Sequence, residues 1–346
     1  MNKERIAYID LFRAFGIICM VMGHIGFGTY FDHYIHAYHM PMFYFVSGFF
    51  FKDKDVSYLS YVKKKATTLL IPYVFWGIFH MVLDYLKTGC SLTALKSAAF
   101  HLVWENTDHL PIAGALWFLT SIFFADIIYL AIYRGFKRTL LRSSVLVILS
   151  ILGCVWTLVI PFRLPWALDT ALAGLGFYYM GYLYRTYLRN RVFTWLGNCP
   201  MLILIVGLLV NGVLIFCNGY VNMREGTYAL IPLTYINAFS SCVLYWNVTA
   251  RVDTFSLPLW GDRIKSCFIM IGKESIVFLV TNQIVILILN KVVSVFYLPK
   301  FVAKLFVLFI SMLVMYGLAL FFTKTSFSIL IGKKRKIVMC NNESNH

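Results

Sequence analysis

Tyr8-Ile9-Asp10-Leu11-Phe12-Arg13-Ala14-Phe15-Gly16-Ile17-Ile18-Cys19-Met20-Val21-Met22-Gly23-His24 decides the fold. The stretch belongs to an apolar run over 6–27, long enough to cross hydrocarbon as a helix, yet it carries a guanidinium and an imidazole. Arg13 and His24 are eleven positions apart, about 1100° of helical rotation, so both side chains return to nearly one face. They lie ~16 Å apart along the axis, one towards each half of a bilayer. Titratable groups at membrane depth are costly and mark function more often than packing. Asp10, three residues before Arg13, is a natural partner that closes that end of the span.

The rest of the chain agrees with a membrane reading. Of 346 residues, 60% are hydrophobic and only 13% charged, where soluble domains average roughly a quarter charged. Ten apolar stretches are long enough to cross, near 6–27, 36–51, 68–87, 112–133, 143–160, 168–184, 193–216, 228–248, 268–290 and 301–323. The expected fold is all-α: a polytopic helical bundle of about ten transmembrane helices, one domain over 1–330, with a basic, polar tail at 331–346. The second stretch is short and contains Pro41, which predicts a tilted or broken span. Lys3 and Arg5 precede the first run as in a signal peptide, but no small-residue cleavage site follows, so a retained signal-anchor is expected.

The net charge of +16 does not point to nucleic acid, because the basic residues are scattered between apolar stretches. Lys and Arg number 22 in the connecting segments on the N-terminal side of the bilayer and 6 on the other. That bias predicts both termini in the cytoplasm. Histidine runs the opposite way: His33, His36, His39, His101 and His109 fall in or beside outer segments, with His24 at the outer end of its helix. The outer face also carries Asp32, Trp104, Glu105, Asp108, Arg163, Trp166, Asp169, Asn222, Arg224 and Glu225. Hydrogen-bonding groups mixed with tryptophans suit a carbohydrate, and equally suit solvated loops with an interfacial aromatic belt. Eight cysteines without a Cys-x-x-Cys pair read as small buried hydrophobes, neither a disulfide framework nor a metal site.

Two side chains carry most of the chemistry. Arg13, about a third of the way into the bilayer, is placed to hold a phosphate or other anion entering from the cytoplasm. His24 has a near-neutral ordinary pKa and a position beside the polar outer face, which makes it the best general base in the chain.

Five blocks, in order, resemble the membrane-bound acyltransferase-3 family over about residues 5–325. They are the Arg13 to His24 arrangement and His39-Met-Pro41-Met-Phe-Tyr-Phe45-Val-Ser47-Gly48; Leu116-Trp117-Phe118-Leu119; Leu164-Pro165-Trp166-Ala-Leu-Asp169-Thr170 followed by Gly176-Phe-Tyr-Tyr-Met-Gly181; and Asn218-Gly219-Tyr-Val-Asn222-Met-Arg224. The last two resemble the fucose-4-O-acetylase-like branch. The resemblance implies a ten-helix enzyme that takes acetyl from cytoplasmic acetyl-CoA and delivers it to a hydroxyl at the outer side; an envelope sugar or glycolipid is the expected acceptor, and a bacterial plasma membrane the simplest location. Arg13 matches the family's coenzyme-side arginine and His24 its catalytic histidine. Trp117 is then expected to line the coenzyme tunnel or fill the bundle. Trp166, Asp169 and Arg224 become candidate acceptor contacts, with Arg224 alternatively an ion-pair partner of Glu225. The Lys63-Lys64-Lys65 run favours an anionic coenzyme, or simply fixes topology. Ser47-Gly48 reads as a close-packing device rather than an acyl nucleophile.

One departure stands out. Late in the family a helix commonly carries Gly-x-x-Ser and then a histidine. Here Gly272-Lys-Glu-Ser275 is present, but the later position reads Thr281-Asn282-Gln283. Two other classes use the same intramembrane charges: a proton-coupled transporter or flippase, against which stands the lack of an inverted repeat, and a sensor or scaffold without catalysis.

Overall fold

The structure, a computed structural model, describes residues 6–107, 110, 112, 115–255 and 259–333. Lys3, Arg5, Asp108, His109 and the tail from 334 onward lie outside the described residues.

The chain is helical nearly throughout, as it must be where no water satisfies the backbone. Helices α1 (Ala7–Ile25), α2 (Thr29–His36), α3 (His39–Phe50), α4 (Tyr58–Lys87) and α5 (Leu92–Val103) make up the N-terminal third. Then come α6 (Trp117–Gly135), α7 (Thr139–Val159), α8 (Leu168–Leu183), the short α9 (Thr194–Asn198) and α10 (Met201–Asn218). A two-residue antiparallel hairpin, β1 (Val221–Asn222) with β2 (Thr227–Tyr228), pairs Val221 with Tyr228. The last helices are α11 (Ile231–Thr254), α12 (Leu259–Lys273), α13 (Ser275–Val293) and α14 (Lys300–Lys324). Ser57 and Ser91 start α4 and α5 by accepting the amides of Ser60 and Ala94, which satisfies N–H groups the helix itself leaves open.

Every predicted apolar stretch contains a helix among the described residues, and seven of those helices are long and apolar enough to cross a membrane. They are α1, α4, α6, α7, α10, α13 and α14. The other three stretches differ for identifiable reasons. Helices α3 and α8 have only 12 and 16 residues, and α11, though 24 residues long, carries Thr, Asn and Ser at buried positions. The stretch over 268–290 is also not one straight span, because α12 stops before Glu274, whose buried carboxylate pairs with Lys333 at 2.5 Å.

The short helices sit in the middle of the bundle. Helix α3 lies against α8 so closely that a Cβ on Gly48 would strike the Tyr178 carbonyl, and one on Gly181 the Phe45 carbonyl. Small residues at such a crossing let backbones touch where lipid gives helices no hydrophobic reason to associate. Ser47-Gly48 therefore packs as read from the sequence. Helix α1 runs through the centre, touching α3, α11, α12, α13 and α14, and 56% of its most apolar window is buried inside the protein.

Two cavities on one helix

Arg13 and His24 each line a cavity, and the two cavities lie on one stripe of α1 and α3. On α1 the stripe runs Arg13, Gly16, Met20, His24; on α3 it runs Phe50, Ser47, Phe43, Met40, His39. Both follow the three-and-four spacing that places side chains on one helical face.

The Arg13 cavity, about 630 Å³, is basic: Lys52, Lys54, Lys64 and Lys65 line it with Ser47, Tyr61 and Tyr178. Two of its cations are braced by buried carboxylates. Arg13 Nη1 reaches Asp10 at 3.4 Å, and its guanidinium lies 5.4 Å from the centre of the Phe50 ring. Lys65 Nζ donates to Asp126 of α6 at 2.6 Å, and the Tyr178 hydroxyl donates to the same carboxylate at 2.9 Å. Asp10 and Asp126 are each 2% exposed. Lys65 is thus more than a topology signal, since a buried partner points it along the cavity wall. The clue was present in the sequence as a lone carboxylate inside the apolar run Phe123-Phe124-Ala125-Asp126-Ile127.

The His24 cavity, about 270 Å³, is lined by Asp32 and His36 from α2, His39 and Met40 from α3, Trp117 from α6, and Asn222, Arg224 and Glu225 from the hairpin. His36 and His39 donate Nδ1–H to the carbonyls of Asp32 and Ile35, at 2.7 and 2.8 Å. A carbonyl only accepts, so the neutral form of either ring carries its lone pair on Nε2. Asp32 Oδ1 is buried without a hydrogen-bond partner. Burial raises its carboxyl above the usual range, against the opposing pull of His36 and Lys304. Arg224 donates Nε–H to the Thr107 carbonyl at 2.8 Å, and no ion pair joins it to Glu225 among the described residues. His24 itself contacts Gln283 of α13, whose Nε2 lies 3.2 Å from Nδ1.

Phe43 stands between the two cavities. Its ring covers Gly16 so closely that a Cβ there would lie 3.1 Å from Phe43 Cζ, and Phe118 backs it with ring centres 5.8 Å apart.

Of the six residues singled out from the sequence, four line these cavities: Arg13 at one end, and His24, Trp117 and Arg224 together at the other. Trp117 therefore belongs with His24 rather than with the cations. Trp166 and Asp169 are outside both linings. Asp169 is fully buried, and its carboxylate accepts from Arg163 Nε at 2.5 Å and from the Thr170 amide at 2.7 Å. Trp166 packs on Tyr73 and Phe124 in a left-handed backbone conformation, φ 54°. Both shape the loop before α8. Asn282, in the Thr281-Asn282-Gln283 stretch, turns back onto its own helix and donates to the Phe278 and Leu279 carbonyls.

No curated protein and no solved structure matched the chain. The family profile described as an acyltransferase domain matches residues 6–323, nearly the whole length. A multi-pass membrane protein with an Arg–His helix running through its centre thus belongs to the acyltransferase-3 family, and is a membrane acyltransferase.

Proposed function

We propose that the protein is an O-acetyltransferase of a bacterial plasma membrane. In this reading it moves acetyl from cytoplasmic acetyl-CoA to a hydroxyl of a cell-envelope sugar or glycolipid on the outer side. The observation that carries the reading is the pairing of a cationic cavity and a histidine cavity on one face of α1 and α3. The nucleotide and its phosphates dock at Arg13 and Lys65, where fixed positive charge attracts them. The acceptor enters beside Asp32 and Arg224, with its hydroxyl at His24. Fucose-4-O-acetylase-like chemistry, which the Asn218–Arg224 block resembles, is the finer form of this proposal.

The reaction needs few groups. His24 Nε2 takes the acceptor's hydroxyl proton as the oxygen attacks the thioester carbonyl. Arg224 offers its remaining guanidinium N–H groups to the oxyanion. Collapse breaks the C–S bond, and the imidazolium returns its proton to the leaving thiolate. The products are an acetyl ester and coenzyme A.

The test uses membranes, labelled acetyl-CoA and extracted envelope glycolipid, comparing wild type with His24→Ala and Arg13→Ala. Loss of label transfer in both supports the reading. Transfer at the wild-type rate in both sinks it, and solute movement across vesicles without acetyl-CoA consumption makes the chain a transporter instead.

A further inference from the structure

Three histidines line the outer cavity, and one is held differently. His36 and His39 are tied through Nδ1 to backbone carbonyls of their own helix, which fixes their tautomer. His24 is tied through Nδ1 to a side-chain carboxamide on another helix, Gln283 at 3.2 Å. A carboxamide can give a hydrogen bond through Nε2 or take one through Oε1. Its neighbours cannot substitute, because Thr281 and Asn282 donate to carbonyls of α13 itself. Gln283 is absent from the cavity lining while His24 belongs to it, so Nδ1 faces α13 and Nε2 is the nitrogen left for a ligand.

We propose that Gln283 is the positioning residue for His24, selecting through its amide the tautomer whose Nε2 meets the acceptor unprotonated. In the structure the amide nitrogen faces Nδ1, which places the ring proton on Nε2 and makes His24 a donor. A half-turn of the amide about its last bond brings Oε1 to the same place. Nδ1 then carries the proton, Nε2 becomes the base, and the Nδ1–H···Oε1 bond persists when Nε2 takes up the acceptor's proton. The inference rests on the reading of His24 as general base.

The test uses the full chain reconstituted in phospholipid vesicles with acetyl-CoA and water as acceptor, following free thiol from about pH 5 to 9. The charged and titratable groups facing His24 are Asp32 and His36 of α2, His39 of α3, Arg224 and Glu225 of the hairpin, and Lys304 of α14. All are the same in every variant, so differences between variants report position 283. Gln283→Leu lowers kcat about tenfold or more with KM for acetyl-CoA within about twofold. Gln283→Glu keeps at least about a third of kcat at high pH, and its acid limb moves up by about one pH unit. The sign follows because an adjacent carboxylate favours imidazolium, so a higher pH is needed to free the base.

Ring 15N signals of His24, assigned by their loss in His24→Ala, give a readout independent of turnover. Gln283→Glu moves the proton to Nδ1 and Gln283→Leu removes the preference. Wild-type kcat and pH profile in Gln283→Leu, or equal losses in both variants with an unmoved acid limb and unchanged ring signals, overturn the inference. If Gln283→Leu fails to insert, Gln283→Met replaces it, and the limb position in Gln283→Glu decides alone. An active His24→Ala sinks the base reading itself, whereas an inactive His24→Ala beside a normal Gln283→Leu sinks only this inference.

Discussion

The two ends of α1 use opposite kinds of polarity. Around Arg13 the charges are permanent, and two buried carboxylates hold two of them in place. Around His24 the titratable groups are ones whose proton can move, three imidazoles and two carboxyls, with a neutral carboxamide and one guanidinium among them. Fixed charge suits binding an anion that must be recognised and then released unchanged. Mobile protons suit a bond that must be made and broken. The contrast teaches that one helix can serve both tasks if an apolar turn keeps them apart.

His24→Ala is the strongest way to sharpen the contrast. Acetyl transfer should fall by about 10²–10⁴-fold, the usual worth of a general base, while coenzyme A binding to the purified protein stays unchanged. A parallel fall in coenzyme affinity would show that the two cavities are one site. Asp169→Asn should come next, but in stability rather than in chemistry. Arg163 is 14% exposed and Asp169 not at all, so leaving that guanidinium unpaired should cost about 3 kcal/mol and lower the thermal midpoint. The KM for acceptor should stay within about twofold. A raised acceptor KM at an unchanged midpoint would return Asp169 to the site.

Arg13→Ala should raise KM for acetyl-CoA by about tenfold while leaving the acceptor KM alone, as expected for a charge that binds donor only. An effect confined to the acceptor would invert the assignment of ends. The smallest effect should come from salt. Raising ionic strength from about 0.05 to 0.5 M should weaken the donor by a few-fold and the acceptor less, because the lysine-lined cavity acts partly through screened charge. Equal sensitivity would mean that both ligands are held by the same kind of force.

Periodicity in the sequence made one helix of this bundle readable in detail. Arg13 and His24 share a stripe because 3.6 residues make a turn, and no knowledge of neighbours is needed to see it. The pairings across helices were not readable. Lys65 finds Asp126 across 61 positions, and His24 finds Gln283 across 259. Periodicity says which face a residue occupies, but not which helix that face meets. Asp169 shows the same limit from the other side: an acidic residue in a loop rich in tryptophan reads as a ligand contact until packing reveals it buried against Arg163. Span length is equally blind to neighbours. Helices α3 and α8 have 12 and 16 residues, and their place in the centre follows from Gly48 and Gly181, which no hydropathy count weighs.

The Phe43 ring over Gly16 also bears on the energy economy of the cell. A polar cavity towards each end of one spanning helix is halfway to a pore, and a membrane that stores work as an ion gradient is short-circuited by the other half. An aromatic ring held between Gly16 and Phe118 puts an apolar turn between the two cavities, where an ion would lose hydration without gaining polar partners. On the proposed reading the same ring lies between the donor at Arg13 and the base at His24, so an acyl arm would have to push it aside and fill the opening it makes. A flexible chain with few charges can act as its own seal in that position. The protein would then stay an electrical insulator while passing two carbons through the membrane.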